Sequence, residues 1–191
     1  MKIVFATGNP HKLQELKAIA GDCGIDFILP PDNFNPIENG NTFEENSLIK
    51  AQEAAKVSNQ ISLADDSGLC VESLNGEPGI HSARYDSTPQ KRIEKLLKNL
   101  KDKQNRNAKF VCSMTLVSAD GQILNQTKGE CFGKITTDPK GINGFGYDPV
   151  FEVKGCGITM AEMSEDEKNK ISHRAIALNK MLEYLKTTYF S

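Results

Sequence analysis

Several short segments of this 191-residue chain bring together residue types that can do chemistry. Asp65-Asp66-Ser67-Gly68 places two adjacent carboxylates and a hydroxyl directly after the apolar run Ile61–Ala64. Neighbouring strand residues point to opposite faces, so one aspartate can face a site while the other supports the loop or core. Hard oxygen donors of this kind suit Mg²⁺, which takes one or two carboxylates plus substrate phosphates and keeps several waters. An Asx-type turn closed by the glycine is the other reading of the same four residues. Glu38, in a loop ahead of a helix, can supply a further carboxylate or stand as an exposed acid.

Thr7-Gly8-Asn9-Pro10-His11-Lys12 joins a strand-like run to a helix-like one. A helix start offers free N–H groups and the positive end of its dipole to an anion, and Lys12 adds a point charge. The segment reads as a phosphate cradle or as a capped helix start; neither the Walker A spacing nor a G-x-G-x-x-G fingerprint is present. Gly141-x-x-Gly144-Phe145-Gly146-Tyr147-Asp148-Pro149 combines backbone freedom with two rings and an acid. A loop of this kind can present a ring for stacking on a planar base, with Asp148 as a hydrogen-bond acceptor, or can be a glycine turn whose aromatics belong to the core. Ser172-His173-Arg174, preceded by Lys168 and Lys170, gathers donors near a helix start and can also be an exposed basic turn. No G-x-S-x-G elbow supports a Ser/His/Asp triad, and His11 and His81 lack metal-ligand spacing.

The elements that must position these residues follow from periodicity. Ile3–Ala6 reads as a buried strand, and His11–Ala20 carries Leu13, Leu16 and Ile19 or Ala20 at helical spacing, with Asn9 as N-cap and Pro10 in the first turn. Ile25–Leu29 predicts a second strand, and residues 30–36, with three prolines, predict a loop. Thr42-x-x-Glu45 predicts a capping box and a helix to about Ser58. Ile61–Ala64 then reads as a short strand ending at the aspartates, with a further β-like run over Leu69–Leu74. A surface helix is expected from Thr88 to Lys101. Two long strands, Ala108–Ser118 and Gly121–Gly133, flank the turn signal Ala119-Asp120-Gly121. Ser164-x-x-Glu167 makes a second capping box, and Ile176, Leu178, Met181, Leu182 and Leu185 give an amphipathic helical end. Strands and helices mixed in this way argue for an α/β fold with a mixed sheet flanked by helices, in a single domain over 1–191.

Composition narrows the classes of function. Lys+Arg 23 against Asp+Glu 25 leaves a net charge of −2, which gives no broad basic surface for nucleic acid, so any phosphate site is local. No apolar run approaches the ~20 residues that a bilayer needs, and the N-terminal run lacks the pattern of a signal peptide, so no membrane association is expected. Five widely spaced cysteines without a C-x-x-C pair argue against a disulfide framework or structural zinc and fit a reducing cytoplasm, each thiol acting as a small buried or half-buried hydrophobe.

Taken in order, Thr7-Gly8-Asn9-x-x-Lys12, Thr42-Phe43-x-Glu45-Asn46, Ala64-Asp65-Asp66-Ser67-Gly68-Leu69, Pro78-Gly79-x-x-Ser82-Ala83-Arg84-Tyr85, Gly144-Phe145-Gly146-Tyr147-Asp148-Pro149 and Ser172-His173-Arg174 resemble the inosine triphosphate pyrophosphatase family. The likeness runs from residue 1 to about 186. It implies an elongated mixed sheet whose helices form two lobes around a central cleft, usually as a homodimer. The implied reaction is hydrolysis of non-standard purine nucleoside triphosphates (ITP, dITP, XTP) to monophosphate and pyrophosphate with Mg²⁺. Carried over by position, Thr7, Gly8, Asn9, Pro10, His11 and Lys12 contact the triphosphate, with Lys50 facing it from the next helix. Glu38 and Asp66 hold the metal, Asp66 also accepts the proton, and Ser67 contacts substrate. Phe145, Gly146, Tyr147, Asp148, Lys168, His173 and Arg174 surround the nucleotide, chiefly its base. His81 and Glu72 depart from the residues common in the family, at positions without an assigned role.

The resemblance also gives selectivity a physical reading. Inosine and xanthine carry an oxo acceptor at C6 where adenine carries an amino donor, so His173 and Arg174 as donors would oppose ATP by ~1–3 kcal/mol per unpaired group. Two other readings stay open: a Maf-type nucleotide pyrophosphatase, and a nucleotide-binding module without turnover. The second has no need of carboxylates at both Glu38 and Asp66.

Overall fold

Three consecutive buried residues near the start of the chain, Ile3, Val4 and Phe5, dictate the layering of the first half. They lie in β1 (Lys2–Phe5), which runs parallel to both β2 (Asp26–Ile28) and β3 (Ser62–Val71), with Ile3 opposite Phe27 and Phe5 opposite Leu63. Ile3 and Phe5 join Leu63, Leu16 of α1 (Pro10–Ala20) and Leu178, Met181 and Leu185 of α5 (His173–Tyr189) in one core. Val4, together with Ala6 and Ala64, joins Ala51, Ala54 and Ala55 of α2 (Phe43–Ser58) in another. A parallel strand buried on both faces needs helices on both, which α1 and α5 provide on one side and α2 on the other.

The computed structural model describes residues 1–190. Among them the strands form one six-stranded mixed sheet in the order β2-β1-β3-β4-β5-β6, with β4 at Asn107–Val117, β5 at Ile123–Ile135 and β6 at Phe151–Val153, the last antiparallel to β5. The chain divides into two compact units. The first comprises Met1–Asp66, Cys112–Gly129 and the stretch from Arg174 onward, and holds the two cores just described. The second comprises Ser67–Val111 and Glu130–His173. Its core gathers Ile93, Leu96 and Leu100 from α3 (Pro89–Asn99) and its end with Phe110, Ile135, Phe151 and Met160, the Phe110 and Phe151 rings 4.6 Å apart. The α/β class and the mixed sheet with flanking helices are those expected from the sequence.

Local signals set most boundaries. Asn9 caps α1 by accepting from the His11 amide at 3.0 Å, and Pro10 occupies the first turn. Three expectations need correction. The Thr42 hydroxyl accepts from the Glu45 amide at 3.1 Å, but the Glu45 carboxylate reaches past Thr42 to the amide of Asn41, so the first capping box is half formed. The run expected to break at the aspartates is one ten-residue strand, β3, and Asp65-Asp66 lie inside it. The helical end is two helices, since Ser172 is extended (ψ 154°) and separates α4 (Glu165–Ile171) from α5. The second capping box, Ser164 with Glu167, forms fully and starts α4.

Candidate functional site

Because β3 continues through the aspartates, the period of two decides what each one meets. Leu63 belongs to the core under α1 and α5, and Ala64 to the core under α2. Asp65 therefore follows Leu63 to the α1/α5 face, and Asp66 follows Ala64 to the α2 face. The partners agree. Asp65, 1% exposed, accepts from Lys12 Nζ with both oxygens at 3.1 Å and from Arg174 Nε and Nη2 with Oδ2 at 3.2 and 3.0 Å. Asp66 Oδ1 accepts from Lys50 Nζ at 3.3 Å, and Glu38 Oε2 lies 3.1 Å from the same nitrogen.

Glu38 is placed by its loop. The Gly40 amide donates to Asn46 Oδ1 at 2.9 Å, and a Cβ on Gly40 would sit 2.7 Å from the Glu45 Cβ. Only a glycine lets the backbone approach the first turn of α2 this closely. Lys50 lies two turns into the same helix and is buried.

Electrostatics separates the two aspartates. Burial pushes the Asp65 carboxyl upward, but Lys12, Arg174 and Lys50 outweigh it and hold the group well below the ordinary carboxylate range. At Asp66 burial wins over Lys50 and Lys12, with help from Asp65 and Glu38, and the carboxyl lies above its ordinary value. Burial opposes the charge on Lys50, yet Asp66, Asp65 and Glu38 together keep it raised; on Lys12 burial prevails over Asp65 and the ammonium is lowered.

The Thr7–Lys12 segment sits at the start of α1. Thr7 is buried and its hydroxyl accepts from the Asn9 amide at 3.0 Å, whereas Gly8, Pro10 and His11 are exposed. A Cβ added to Gly8 meets no atom of the described residues within 4 Å. The fold leaves open space beside that backbone.

The second unit holds the other group of expected residues. Asp148 is buried; its Oδ2 accepts from the Phe145 amide at 2.9 Å and from Lys168 Nζ at 2.8 Å. The Lys168 ammonium lies 4.7 Å from the centroid of the Phe145 ring, which is 40% exposed. Gly146 continues the loop at positive φ (64°). The two rings of the motif thus divide between the two readings: Phe145 is presented, and Tyr147 is a core aromatic whose hydroxyl donates to the Ser82 carbonyl at 2.9 Å. Its placement ties the loop to the turn Gly79–Arg84. His173 is stacked on Phe110, centroids 4.8 Å apart. Ser67 is half-buried at the start of this unit.

Arg174, expected near the base, is held by two carboxylates. It is 1% exposed in the first unit, and its Nε, Nη1 and Nη2 are engaged by Asp65 and by Glu15 of α1. Glu15 escaped the sequence reading because a Lys12/Glu15 pair at i, i+3 looks like an ordinary surface pair. Among the cysteines, Cys112 and Cys131 are buried and Cys23 and Cys70 half-buried, as expected, but Cys156 is exposed. Burial lifts the Cys131 thiol to about 11, away from reactivity.

The donor set can be tested against a divalent cation. Around the aspartates three cations, Lys12, Lys50 and Arg174, face four carboxylates, Glu15, Glu38, Asp65 and Asp66. That balance repels a polyanion unless a cation joins it. Asp66 Oδ2 is buried and accepts no hydrogen bond among the described residues. Hard oxygens at Asp66 and Glu38, one of them without a partner, fit Mg²⁺.

Comparisons with known proteins find relatives along nearly the whole chain. The model of the Ham1 family matches residues 3–184. The chain is 45% identical over 180 residues to a dITP/XTP pyrophosphatase of Synechocystis sp., covering 94% of this chain and 93% of that one. It is similar to the structure of a HAM1 protein from Coxiella burnetii, with a TM-score of 0.91, 40% identity and coverage of 98% and 100%. It is also similar to the Staphylococcus aureus Ham1 protein, with a TM-score of 0.88, 40% identity and coverage of 98% and 99%.

Proposed function

Because the chain belongs to the Ham1 family, we propose that it hydrolyses non-standard purine nucleoside triphosphates, ITP, dITP and XTP, to the monophosphate and pyrophosphate, and so cleanses the nucleotide pool. The observation that carries the reading is the pairing of Glu38 and Asp66 on one buried lysine, with an Asp66 oxygen left without a partner among the described residues. A module that only bound nucleotides would have no use for it.

In the reaction a water oxygen bonds to the α-phosphorus, the bond to the β-bridging oxygen breaks, and pyrophosphate leaves. Bound at Glu38 and Asp66, Mg²⁺ supplies positive charge to the phosphate oxygens and acidifies water. Asp66 takes the proton of the attacking water. Lys50, donating to Oδ1, fixes the plane of that carboxylate. The amides and dipole of the α1 N-terminus, with Thr7, Gly8, Asn9, Pro10, His11 and Lys12, receive the polyphosphate. Open space beside Gly8 supports that approach. Electrostatic stabilisation by these fixed groups supplies most of the rate enhancement.

Purine recognition falls to the second unit. The exposed Phe145 ring stacks on the base, Lys168 and Asp148 fix the loop that presents it and offer polar contacts, and His173 supplies a donor suited to a C6 oxo group. Ser67 contacts substrate. Arg174 acts on Asp65 instead of the base. The reading carries with it one pyrophosphatase domain over 1–191, a homodimer and a cytoplasmic location. Free thiols at the described cysteines support a reducing compartment. No helix is long and apolar enough to cross a membrane among the described residues.

The test is pyrophosphate release from ITP, dITP, XTP, ATP, dTTP and UTP, with and without EDTA. Rapid release from the first three, lost with EDTA and restored by Mg²⁺, is expected. A preference for dTTP or UTP would point to Maf-type activity, and binding without release would leave a nucleotide-binding module.

A further inference from the structure

Lys12 and Glu15 leave α1 three residues apart on one face, and both enter a buried cluster with Asp65 of β3 and Arg174 in the first turn of α5. The order of contacts is Lys12 to Asp65, Asp65 to Arg174 and Arg174 to Glu15, which returns the path to α1. Two cations and two carboxylates balance, and the three groups other than Lys12 are all at least nine-tenths buried. Lys12 is the one member that reaches the surface, with 18% of its side chain exposed.

We propose that Glu15 is a positioning residue for the hydrolysis, acting through Arg174 and Asp65 to set where the Lys12 ammonium stands at the mouth of the phosphate-receiving segment. The assignment rests on the reading of Thr7–Lys12 given above. Two cations compete for one carboxylate. Asp65 Oδ2 accepts from both Arg174 and Lys12. While Glu15 holds Nη1, the guanidinium divides its charge between two acids and Asp65 keeps a share of its field for Lys12. Without the Glu15 charge, Arg174 turns wholly onto Asp65. Lys12 then loses its anchor, and the buried cluster carries an excess positive charge that drives the ammonium outward. Its placement on the incoming phosphates is no longer defined before binding, so part of the binding energy goes into ordering it.

The experiment is a double-mutant cycle on kcat/KM for ITP with Glu15→Gln and Lys12→Met, run well below the melting temperature of every variant. Glu15→Gln is expected to lower kcat/KM about tenfold, mainly through KM, and to have almost no further effect in the Lys12→Met background, as coupled neighbours behave. Glu15→Asp, which keeps the charge on a shorter stem, should recover part of the loss and carries the same cycle if Glu15→Gln does not fold. Losses that multiply independently, or an unchanged kcat/KM in Glu15→Asp and Glu15→Gln, would overturn the proposal, since a residue that merely supports the fold does not couple to Lys12 in this way. Absence of pyrophosphate release from ITP by the unmodified protein would instead sink the proposed function, so the two failures are distinct.

Discussion

One substitution made at two adjacent positions tests the alternating-face argument. In Asp65→Asn, a carboxylate that is 1% exposed and faces Lys12 and Arg174 becomes a neutral amide. The NH₂ group replaces an acceptor, and two cations are left with Glu15 as their remaining acid in the cluster. Breaking a buried ion pair by removing one partner costs ~3–5 kcal/mol. At about 2–4 °C per kcal/mol for a domain of this size, the melting temperature should fall by roughly 6–20 °C. In Asp66→Asn the outcome reverses. The amide oxygen can still accept from Lys50, and Lys50 keeps Glu38 at 3.1 Å, so stability should change by about 1 kcal/mol or less. Turnover of ITP should nevertheless fall on the order of 10³-fold, the scale of a lost general base. Thermal melts followed by circular dichroism, beside pyrophosphate release measured at a temperature where both variants are folded, give both readouts. If Asp65→Asn melted within about 2 °C of the parent, or if Asp66→Asn were the less stable of the two, the assignment of the aspartates to opposite faces of β3 would fail.

Acid should reveal the same asymmetry. Asp65 has a folded pKa below its unfolded value near ~3.9, so its contribution is fully present above that value and is lost as the pH falls towards the folded pKa. The parent's melting temperature should drop more steeply below about pH 4 than that of Asp65→Asn, and parallel curves would contradict the charge cluster. Gly8→Ala should leave the melting temperature unchanged or slightly raised, since its Cβ meets nothing and φ is not positive, while KM for ITP increases. An unaltered KM would remove Gly8 from the phosphate path. Phe145→Ala, at an exposed ring, should raise KM for ITP and for ATP alike without lowering the melting temperature, and an unchanged KM would refute stacking on the base.

How much of this was legible in the sequence depends on the range of the forces involved. Asn9-Pro10, Thr42 and Ser164 act within one helical turn, so the starts of α1, α2 and α4 could be read from neighbouring residues. The apolar run at β1 follows from burial in the same local way. The aspartate pair could be read as a pair, but Gly68 suggested a turn there. Only pairing within the sheet makes β3 run through it, and with that comes the division of labour between Asp65 and Asp66.

Residue types, spacing and local capping thus determined the inventory: which acids, cations and rings this chain possesses, and the helices and strands that carry most of them. Tertiary structure decided who faces whom. Arg174 lies 109 residues from Asp65 and 159 from Glu15 along the chain, and no local signal tells a guanidinium whether it meets a purine or two carboxylates. That choice is made by packing α1 and α5 on the same face of β1 and β3, where a buried charge is tolerated only beside its counter-charges.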